Sequence, residues 1–225
     1  MPIYELHAHT AECDKAAHVG GADMVRMYRD AGYDGIVITD HYFSLFFEWF
    51  ADELAGADHR AEVERWQRGY YAARNEGERW DFTVLAGAEV RFDGSINDYL
   101  VYGVEPNFFL SAPRLNELGS VEALKAILPS DALVVQAHPF RNGMTVQDPA
   151  PLDGIEVYNG GTEPIRNELS ERLAAYHGKI MTSGSDFHCP DHLARGGIVT
   201  DRPIRTSADL TAILRSGAYT LQRGE

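Results

Sequence analysis

Several short apolar runs in the sequence end in a histidine or a carboxylate. The segment 35–41, Gly-Ile-Val-Ile-Thr-Asp-His, is one of them, and the segment 132–139 is another. Continuous apolar runs of this length are typical of strands buried on both faces, as in a parallel sheet. Apolar residues recur at helical spacing over 24–31, between a first strand at 4–10 and the strand at 35–41. This strand–helix–strand unit predicts an α/β fold.

The rest of the chain continues the alternation of strands and helices. Further strands are predicted at 83–89, 99–104, 154–159 and 179–183, with a short one at 198–200, and helices at 44–78 (broken near Gly56), 121–128, 163–176 and 208–214. Only residues 90–98 separate the strands at 83–89 and 99–104, which is too few for a parallel crossover. These two strands are therefore predicted to be antiparallel, which returns Asp98 to the mouth that Glu89 faces.

Length and charge limit the possible partners. A chain of 225 residues is long enough for one large domain spanning 1–225. A net charge of -14 disfavours stable binding to nucleic acid or to an anionic membrane and favours small substrates. Two cysteines cannot form a disulfide framework, no charged leader with an apolar core opens the chain, and no apolar run approaches the ~20 residues of a membrane span. We expect a cytoplasmic protein.

The opening strand carries the pattern His7-Ala8-His9. Side chains alternate along a strand, so the two imidazoles lie on one face and converge on one point. Neutral imidazole is a ligand for zinc, iron and other transition metals. Alone, this pattern also fits two half-exposed histidines on an edge strand. The ends of other predicted strands carry further residues of types that bind metals: Asp40, His41, Glu89, His138, Asp186 and His188. Because strand ends meet at one face of an α/β barrel, these residues predict a metal cluster.

Five short motifs resemble, in order and spacing, those of the PHP (polymerase and histidinol phosphatase) family. They are His7-Ala8-His9 with Asp14 behind it, Thr39-Asp40-His41, Gly87-Ala88-Glu89, Ala137-His138-Pro139 and Gly184-Ser185-Asp186-Phe187-His188. The resemblance implies a distorted seven-stranded (β/α)7 barrel, in agreement with the seven longer strands counted above. It also implies two to three divalent metal ions, zinc, manganese or iron, and phosphoester hydrolysis.

The resemblance assigns roles to individual residues. A first metal is expected to bind His7, His9, Glu89 and Asp186, with Glu89 bridging to a second metal at His138; Asp14, His41 and His188 are expected to bind a third. Glu89, Asp186 and His138 are thereby the candidate catalytic residues. One position departs from the family pattern, because many members have a histidine where this chain has Asn97-Asp98. Asp98 could still act as a ligand and would favour a harder ion such as manganese.

Side chains around the cluster are candidates for other roles. Arg141 and Arg195 lie on predicted loops at the mouth and are expected to bind a phosphate group by paired hydrogen bonds. Asp40 is predicted to accept a hydrogen bond from a metal-bound imidazole. An open pocket walled by Tyr42, Phe43 and Phe46 is expected, while the remaining histidines, which have no motif around them, are predicted to be surface or structural: His18, His59, His177 and His192.

The function predicted from these residues is hydrolysis of a small phosphomonoester by a metal-bound hydroxide at a dinuclear or trinuclear site. A phosphodiesterase or 3′ exonuclease acting on nucleic acid is an alternative, against which the net charge of -14 argues. A non-catalytic metal-binding module of the same family is a second alternative. The near-complete set of ligand positions argues against that one.

Overall fold

The computed structural model describes residues 1–224, in which strands and helices alternate. The strands are β1 (Ile3–Ala8), β2 (Gly35–Ile38), β3 (His41–Tyr42), β4 (Thr83–Ala86), β5 (Ala88–Arg91), β6 (Asp98–Tyr102), β7 (Leu133–Gln136), β8 (Gly154–Asn159), β9 (Ile180–Gly184), β10 (Gly196–Thr200) and β11 (Tyr219–Arg223). The helices are α1 (Gly21–Asp30), α2 (Ser44–Trp49), α3 (His59–Trp66), α4 (Arg68–Gly77), α5 (Pro106–Ser111), α6 (Val121–Ile127), α7 (Pro164–His177) and α8 (Ser207–Ser216). None of the helices within residues 1–224 has the length and apolar character needed to cross a membrane.

The strands form two sheets. One has five strands in the order β11-β10-β1-β2-β4, and the other has six in the order β3-β5-β6-β7-β8-β9. Two chain segments contribute to both sheets, since β2 continues beyond Thr39 and Asp40 as β3, and β4 continues beyond Gly87 as β5. An isolated parallel bridge between Ala8 and Phe187 also links the end of β1 with the segment after β9. The ligand-bearing strand ends therefore lie where the two sheets meet.

The predicted barrel is confirmed only as an α/β arrangement. Residues 1–224 contain eleven strands rather than seven, and their two sheets do not close into one barrel. The predicted strands 35–41 and 83–89 each divide in two where the chain changes sheet. At Gly87 a Cβ atom would lie 2.9 Å from a methyl group of Val37 and 3.0 Å from the carbonyl oxygen of Val101. A side chain at Gly87 would force Val37 or the backbone at Val101 to move, and the chain changes sheet at this residue.

The predicted hairpin is confirmed. Strand β5 pairs with β6 in antiparallel register, with Glu89 opposite Leu100 and Arg91 opposite Asp98. Strand β6 is also antiparallel to β7. Because of this register, Asp98 lies opposite the last residue of β5 and on the same face of the sheet as Glu89.

Burial on both faces explains why β1 and β7 form central strands. All four residues of β7 are buried, and in β1 every residue after Ile3 is buried. Leu6, Leu100 and Val135 pack together in one apolar cluster, and the Tyr102 hydroxyl donates a 3.0 Å hydrogen bond to the carbonyl oxygen of Leu6. Each fully buried leucine or valine side chain of this kind contributes about 1.5–3 kcal/mol to folding. The strand ends that carry the polar residues are thereby held on a rigid core.

The helices between 44 and 78 differ from the prediction. Three helices replace the expected two, because α3 ends at Trp66 and α4 begins at Arg68, with only Gln67 between them. Asp58 is the N-cap of α3, and its side chain accepts a 2.9 Å hydrogen bond from the Ala61 amide. The short helix α5 and the strand β11, which pairs with β10, were not predicted from the sequence pattern.

Candidate metal centre

All residues predicted to be metal ligands lie in one cluster where the two sheets meet. Four overlapping groups within it have ligand atoms that lie within 4.8 Å of one another. The groups are His9, Asp14, His41 and His188; His7, His9 and Glu89; His7, His138 and Asp186; and Glu89, Asp98 and His138. We call these residues the metal centre. It includes Asp98, which lies at Asn97-Asp98, the position where the sequence departs from the pattern it resembles.

Glu89 lies at the middle of the metal centre. Its Oε1 atom is 3.4 Å from Nε2 of His7 and 3.1 Å from Nε2 of His138. Its Oε2 atom is 3.3 Å from Nε2 of His9 and 2.8 Å from Nδ1 of His41. The two oxygens of one fully buried carboxylate therefore face two different pairs of imidazoles. Glu89 also belongs to two of the four groups, as expected of a carboxylate that bridges two cations.

Asp186 and His138 have backbone conformations that are uncommon for residues with a side chain. Their φ angles are 53° and 29°, in the left-handed region. The His138 amide is held by a 3.0 Å hydrogen bond to Oε2 of Glu156, and the carbonyl oxygen of Asp186 faces Nδ1 of His188 at 3.0 Å. With the backbone held in this way, Oδ1 of Asp186 faces His7 at 3.5 Å and His9 at 3.3 Å. Backbone strain of this kind is concentrated at functional sites.

Buried polar atoms without hydrogen-bond partners test whether the cluster suits a cation. Among the described residues, these atoms include Nε2 of His7, both ring nitrogens of His9, Nδ1 of His41 and Oε2 of Glu89. Buried polar groups in proteins are almost always hydrogen-bonded. Unpaired nitrogen and oxygen atoms that converge on shared points fit transition-metal ions, for which imidazole and carboxylate are ordinary ligands.

The charges of the cluster also fit cations. Burial raises the pKa of Glu89, but the neighbouring His7 and His41 outweigh it and hold that pKa well below the ordinary value. Burial, together with His41 and His188, lowers the pKa of His9 to about 3, so this imidazole is neutral with a lone pair available. The pKa of His41 is raised to about 9, because Glu89 and other carboxylates outweigh the effect of burial. A bound cation would take the place of the proton on His41.

Glu156 orients His7, and the sequence patterns did not identify it. Nδ1 of His7 lies 2.8 Å from Oε1 of Glu156, so this nitrogen carries the proton and Nε2 is left free toward Glu89. Oε2 of Glu156 accepts hydrogen bonds of 3.0 Å from the amide of His138 and from Nδ2 of Asn159. The available signal was a carboxylate between Ile155 and Val157 in a strand that is almost completely buried.

Replacing Glu156 by glutamine should weaken metal binding about 10- to 100-fold. An amide can still accept from His7 but cannot also accept from the His138 amide with its nitrogen end. The affinity of the purified variant for Mn²⁺, measured by calorimetry, tests this. Glu171→Gln, which alters only a surface pair with Arg223, is the matched control and should bind Mn²⁺ as the unaltered protein does. Equal affinities in the two variants would contradict the orienting role.

The predicted acceptor role of Asp40 is wrong. Its carboxylate accepts hydrogen bonds from the amide of Thr10 at 2.6 Å and from the Thr10 hydroxyl at 2.8 Å, and from no histidine. Asp40 therefore fixes the turn after β1, while Glu156 serves His7. Of the four histidines predicted to be surface or structural, His192 lies beside the centre, with Nδ1 3.1 Å from the carbonyl oxygen of Asp186.

The metal centre opens on one side. The side chains of His41 and His188 are 13% and 19% exposed, whereas His7, His9 and Glu89 are fully buried. The predicted pocket wall is correct only for Phe43, whose ring centroid is 4.7 Å from that of His41.

Tyr42 and Phe46 belong to the core instead of the pocket wall. Tyr42 packs against Trp66, and Phe46 packs against Phe47 and Phe50. Residues that follow one another along the β3–α2 segment point in different directions, and only Phe43 points toward the opening.

Arginines lie at different distances from the ligands. Arg141 contacts Asp186 through NH2 and lies 3.3 Å from Nε2 of His138 through NH1. Arg195 donates a 3.3 Å hydrogen bond to the carbonyl oxygen of Gly160 and contacts no predicted ligand. Arg91, which was not predicted, binds Asp98 with two hydrogen bonds. Its position two residues after Glu89, hence on the same face of the strand, was the available signal.

The fold and the cluster define an α/β protein with a buried, histidine- and carboxylate-rich candidate metal centre. A family model described as PHP-associated (PHP_C) matches residues 164–219, the region from α7 to the start of β11. A comparison with curated proteins finds no significant match.

Solved structures with a similar fold cover the rest of the chain as well. A two-domain protein from Bacteroides vulgatus, described as containing a predicted PHP-like metal-dependent phosphoesterase, is 17% identical, with a TM-score of 0.69 over 99% of this chain and 65% of that chain. PsfC from Pseudomonas syringae is 17% identical, with a TM-score of 0.65 over 94% of this chain and 88% of that one. A Bifidobacterium adolescentis protein provisionally described as a metal-dependent phosphoesterase is 18% identical, with a TM-score of 0.53 over 83% of this chain and 87% of that one. These findings confirm the resemblance to the PHP family.

Proposed function

We propose that this protein is a metal-dependent phosphatase that hydrolyses a small phosphomonoester. The observation that carries the proposal is the position of Glu89, whose two carboxylate oxygens face His7 and His138 on one side and His9 and His41 on the other. A carboxylate in this position is suited to bridge two cations. Pairs of bridged cations are a common means of phosphoester hydrolysis. The descriptions of the structurally similar PHP-like proteins support the same class of reaction.

The ligand groups indicate which residues would hold each ion. His7, His9 and Glu89 would hold the first, together with Asp186, whose Oδ1 faces both histidines. Asp14, His41 and His188, with His9 close by, would hold another. Glu89, Asp98 and His138 would hold the remaining one. Two or three ions of the zinc, manganese or iron type, when bound, would activate water and neutralise phosphoryl oxygens.

The protein's own residues would position the substrate and the ligands. Glu156 keeps the lone pair of His7 directed at the centre, and the exposed edges of His41 and His188 leave an entrance. The Arg141 side chain is 35% exposed and could turn from Asp186 to a phosphate oxygen at that entrance. The net charge of -14 favours a small substrate over stable binding of nucleic acid.

Hydrolysis of a panel of substrates tests the proposal. Metal-stripped protein is restored with Mn²⁺, Zn²⁺ or Fe²⁺ and offered phosphomonoesters, a phosphodiester and single-stranded DNA. We expect the monoesters to be hydrolysed fastest, and only by restored protein. Faster cleavage of the diester or of DNA would instead support the phosphodiesterase alternative. Full metal content without turnover of any substrate would support a non-catalytic metal-binding module.

Replacing Arg141 by methionine should raise the Michaelis constant about 10- to 100-fold, because a charged hydrogen bond to phosphate is lost. Metal content should not change. Steady-state kinetics and elemental analysis of the same preparation measure both quantities. Arg172→Met on the exposed side of α7, where the side chain is 78% exposed, is the control and should leave the Michaelis constant unchanged. A fall in metal content on Arg141 replacement would contradict a role limited to substrate binding.

A further inference from the structure

Asp98 has a partner that none of the predicted ligand roles includes. Arg91 donates from Nε to Oδ1 at 2.7 Å and from NH2 to Oδ2 at 2.6 Å. Asp98 is 1% exposed, and its other neighbour is His138, whose Nε2 lies 3.9 Å from Oδ2. Both oxygens of this candidate ligand are therefore already bound to a positive group. A guanidinium and a carboxylate in this paired geometry form a strong and specific contact.

The contact between Arg141 and Asp186 differs from the contact between Arg91 and Asp98 in the number of carboxylate oxygens it uses. Arg141 engages only Oδ2 of Asp186, so Oδ1 still faces His7 and His9. Asp186 can ligate a cation while it holds Arg141. Each oxygen of Asp98 already accepts a hydrogen bond from Arg91, so a cation that binds Asp98 must share the carboxylate with the guanidinium or displace it, and in both cases the two positive charges oppose one another.

The Arg91 side chain lies close to the open side of the metal centre. It is 31% exposed, and its guanidinium lies 5.7 Å from the ring of Phe43. Phe43 lies beside His41 on the open side of the metal centre. While bound to Asp98, the Arg91 guanidinium therefore already lies beside the entrance, where the phosphate group of a substrate would arrive.

We propose that Arg91 and a divalent cation compete for Asp98, so that the position formed by Glu89, Asp98 and His138 fills last and fills more tightly when an oxyanion binds Arg91. The competition follows from the contacts of Asp98 alone. Its use in substrate binding rests on the proposed phosphatase function. In this way the arrival of the substrate would complete the metal centre.

Cation binding to Arg91→Met tests the competition. Methionine keeps the apolar part of the side chain and removes the charge. Mn²⁺ binding to metal-stripped protein is measured by equilibrium dialysis with elemental analysis. The weakest bound equivalent should bind about tenfold or more tightly in the variant than in the unaltered protein, while the tighter equivalents keep their affinity.

Arg114→Met is the matched control. Arg114 also forms a paired contact with a carboxylate, Glu62, and also lies over an aromatic ring, that of Phe47, at 4.4 Å. Its side chain is 36% exposed, close to the value for Arg91. It contacts no residue of the metal centre, and its removal should leave all Mn²⁺ affinities unchanged.

The same measurement in an Asp98→Asn background completes a double-mutant cycle. The gain from Arg91→Met should disappear there, because the carboxylate for which the two cations compete is absent. Inorganic phosphate, kept below the concentration that precipitates Mn²⁺, should tighten the weakest equivalent more in the unaltered protein than in Arg91→Met. Equal effects of phosphate on the two proteins would overturn the coupling to an oxyanion.

Three further results would overturn the competition. The first is an Arg91→Met variant that binds its weakest Mn²⁺ no more tightly than Arg114→Met does. The second is loss of that equivalent from Arg91→Met, which would mean that Arg91 holds Asp98 in place for the cation. The third is a gain that persists without Asp98. None of these measurements uses turnover, so a protein that shows the competition but hydrolyses no phosphoester would contradict only the proposed function.

Discussion

Replacing Glu89 by glutamine is expected to lower turnover at least about a hundredfold, equivalent to roughly 2.7 kcal/mol of transition-state stabilisation. It is also expected to weaken metal loading. Glutamine keeps the shape of the side chain but removes the charge. Each oxygen of Glu89 lies beside one pair of imidazoles, and the amide nitrogen of glutamine cannot bind a cation in place of one of those oxygens. Steady-state kinetics and elemental analysis of the purified variant measure both effects.

Glu62→Gln is the matched control for Glu89→Gln. Glu62 is another buried carboxylate that is not part of the metal centre. It lies on α3 and pairs with Arg114, in the loop that follows α5. Its replacement tests whether the loss of any buried negative charge lowers activity through stability alone. If Glu89→Gln keeps full metal occupancy and near-normal turnover, the bridging role is wrong and the catalytic centre must be assigned elsewhere.

Removing the metal ions is expected to abolish phosphatase activity and to lower the melting temperature. The purified protein should carry about two to three transition-metal ions per chain, since the ligand candidates exceed what one ion can use. The ions bind the native state alone, so a cation at 100 times its dissociation constant stabilises the fold by about 2.7 kcal/mol. For a chain of this length that corresponds to a rise of about 5–10 °C, measured by thermal unfolding across a series of Mn²⁺ concentrations.

Two variants sharpen this test. A His7→Asn, His9→Asn double variant should lose the dependence of the melting temperature on Mn²⁺. His177→Asn, which changes an exposed histidine at the end of α7, should keep it. Fewer than one ion per chain in protein shown to be active, or identical melting of stripped and loaded protein, would contradict the prediction.

The positions of the ligands follow from local rules that a sequence displays directly. Period-two alternation along β1 puts His7 and His9 on one face, and the structure brings both to the metal centre. Apolar runs identified β7 and the segment containing β2 as buried strands. The ends of these strands place His138 and His41 in the metal centre. The short connection between β5 and β6 predicted the hairpin that brings Asp98 to Glu89.

Contacts between distant segments were decided only in the tertiary structure. Glu156 and His7 are 149 residues apart in sequence, so no local spacing could pair them. The 83–89 strand is divided at Gly87, which packs closely against Val37 and Val101, residues of two other strands.

The partner of Asp98 shows the same limit at shorter range. Alternation along β5 puts Arg91 on the face of Glu89, but only the register between β5 and β6 sets Arg91 opposite Asp98. Sequence patterns therefore determine which side chains share a face of one strand, since that depends on backbone geometry alone. Which of these side chains bind one another depends on how strands from different parts of the chain pack, and that is settled only when the sheets assemble.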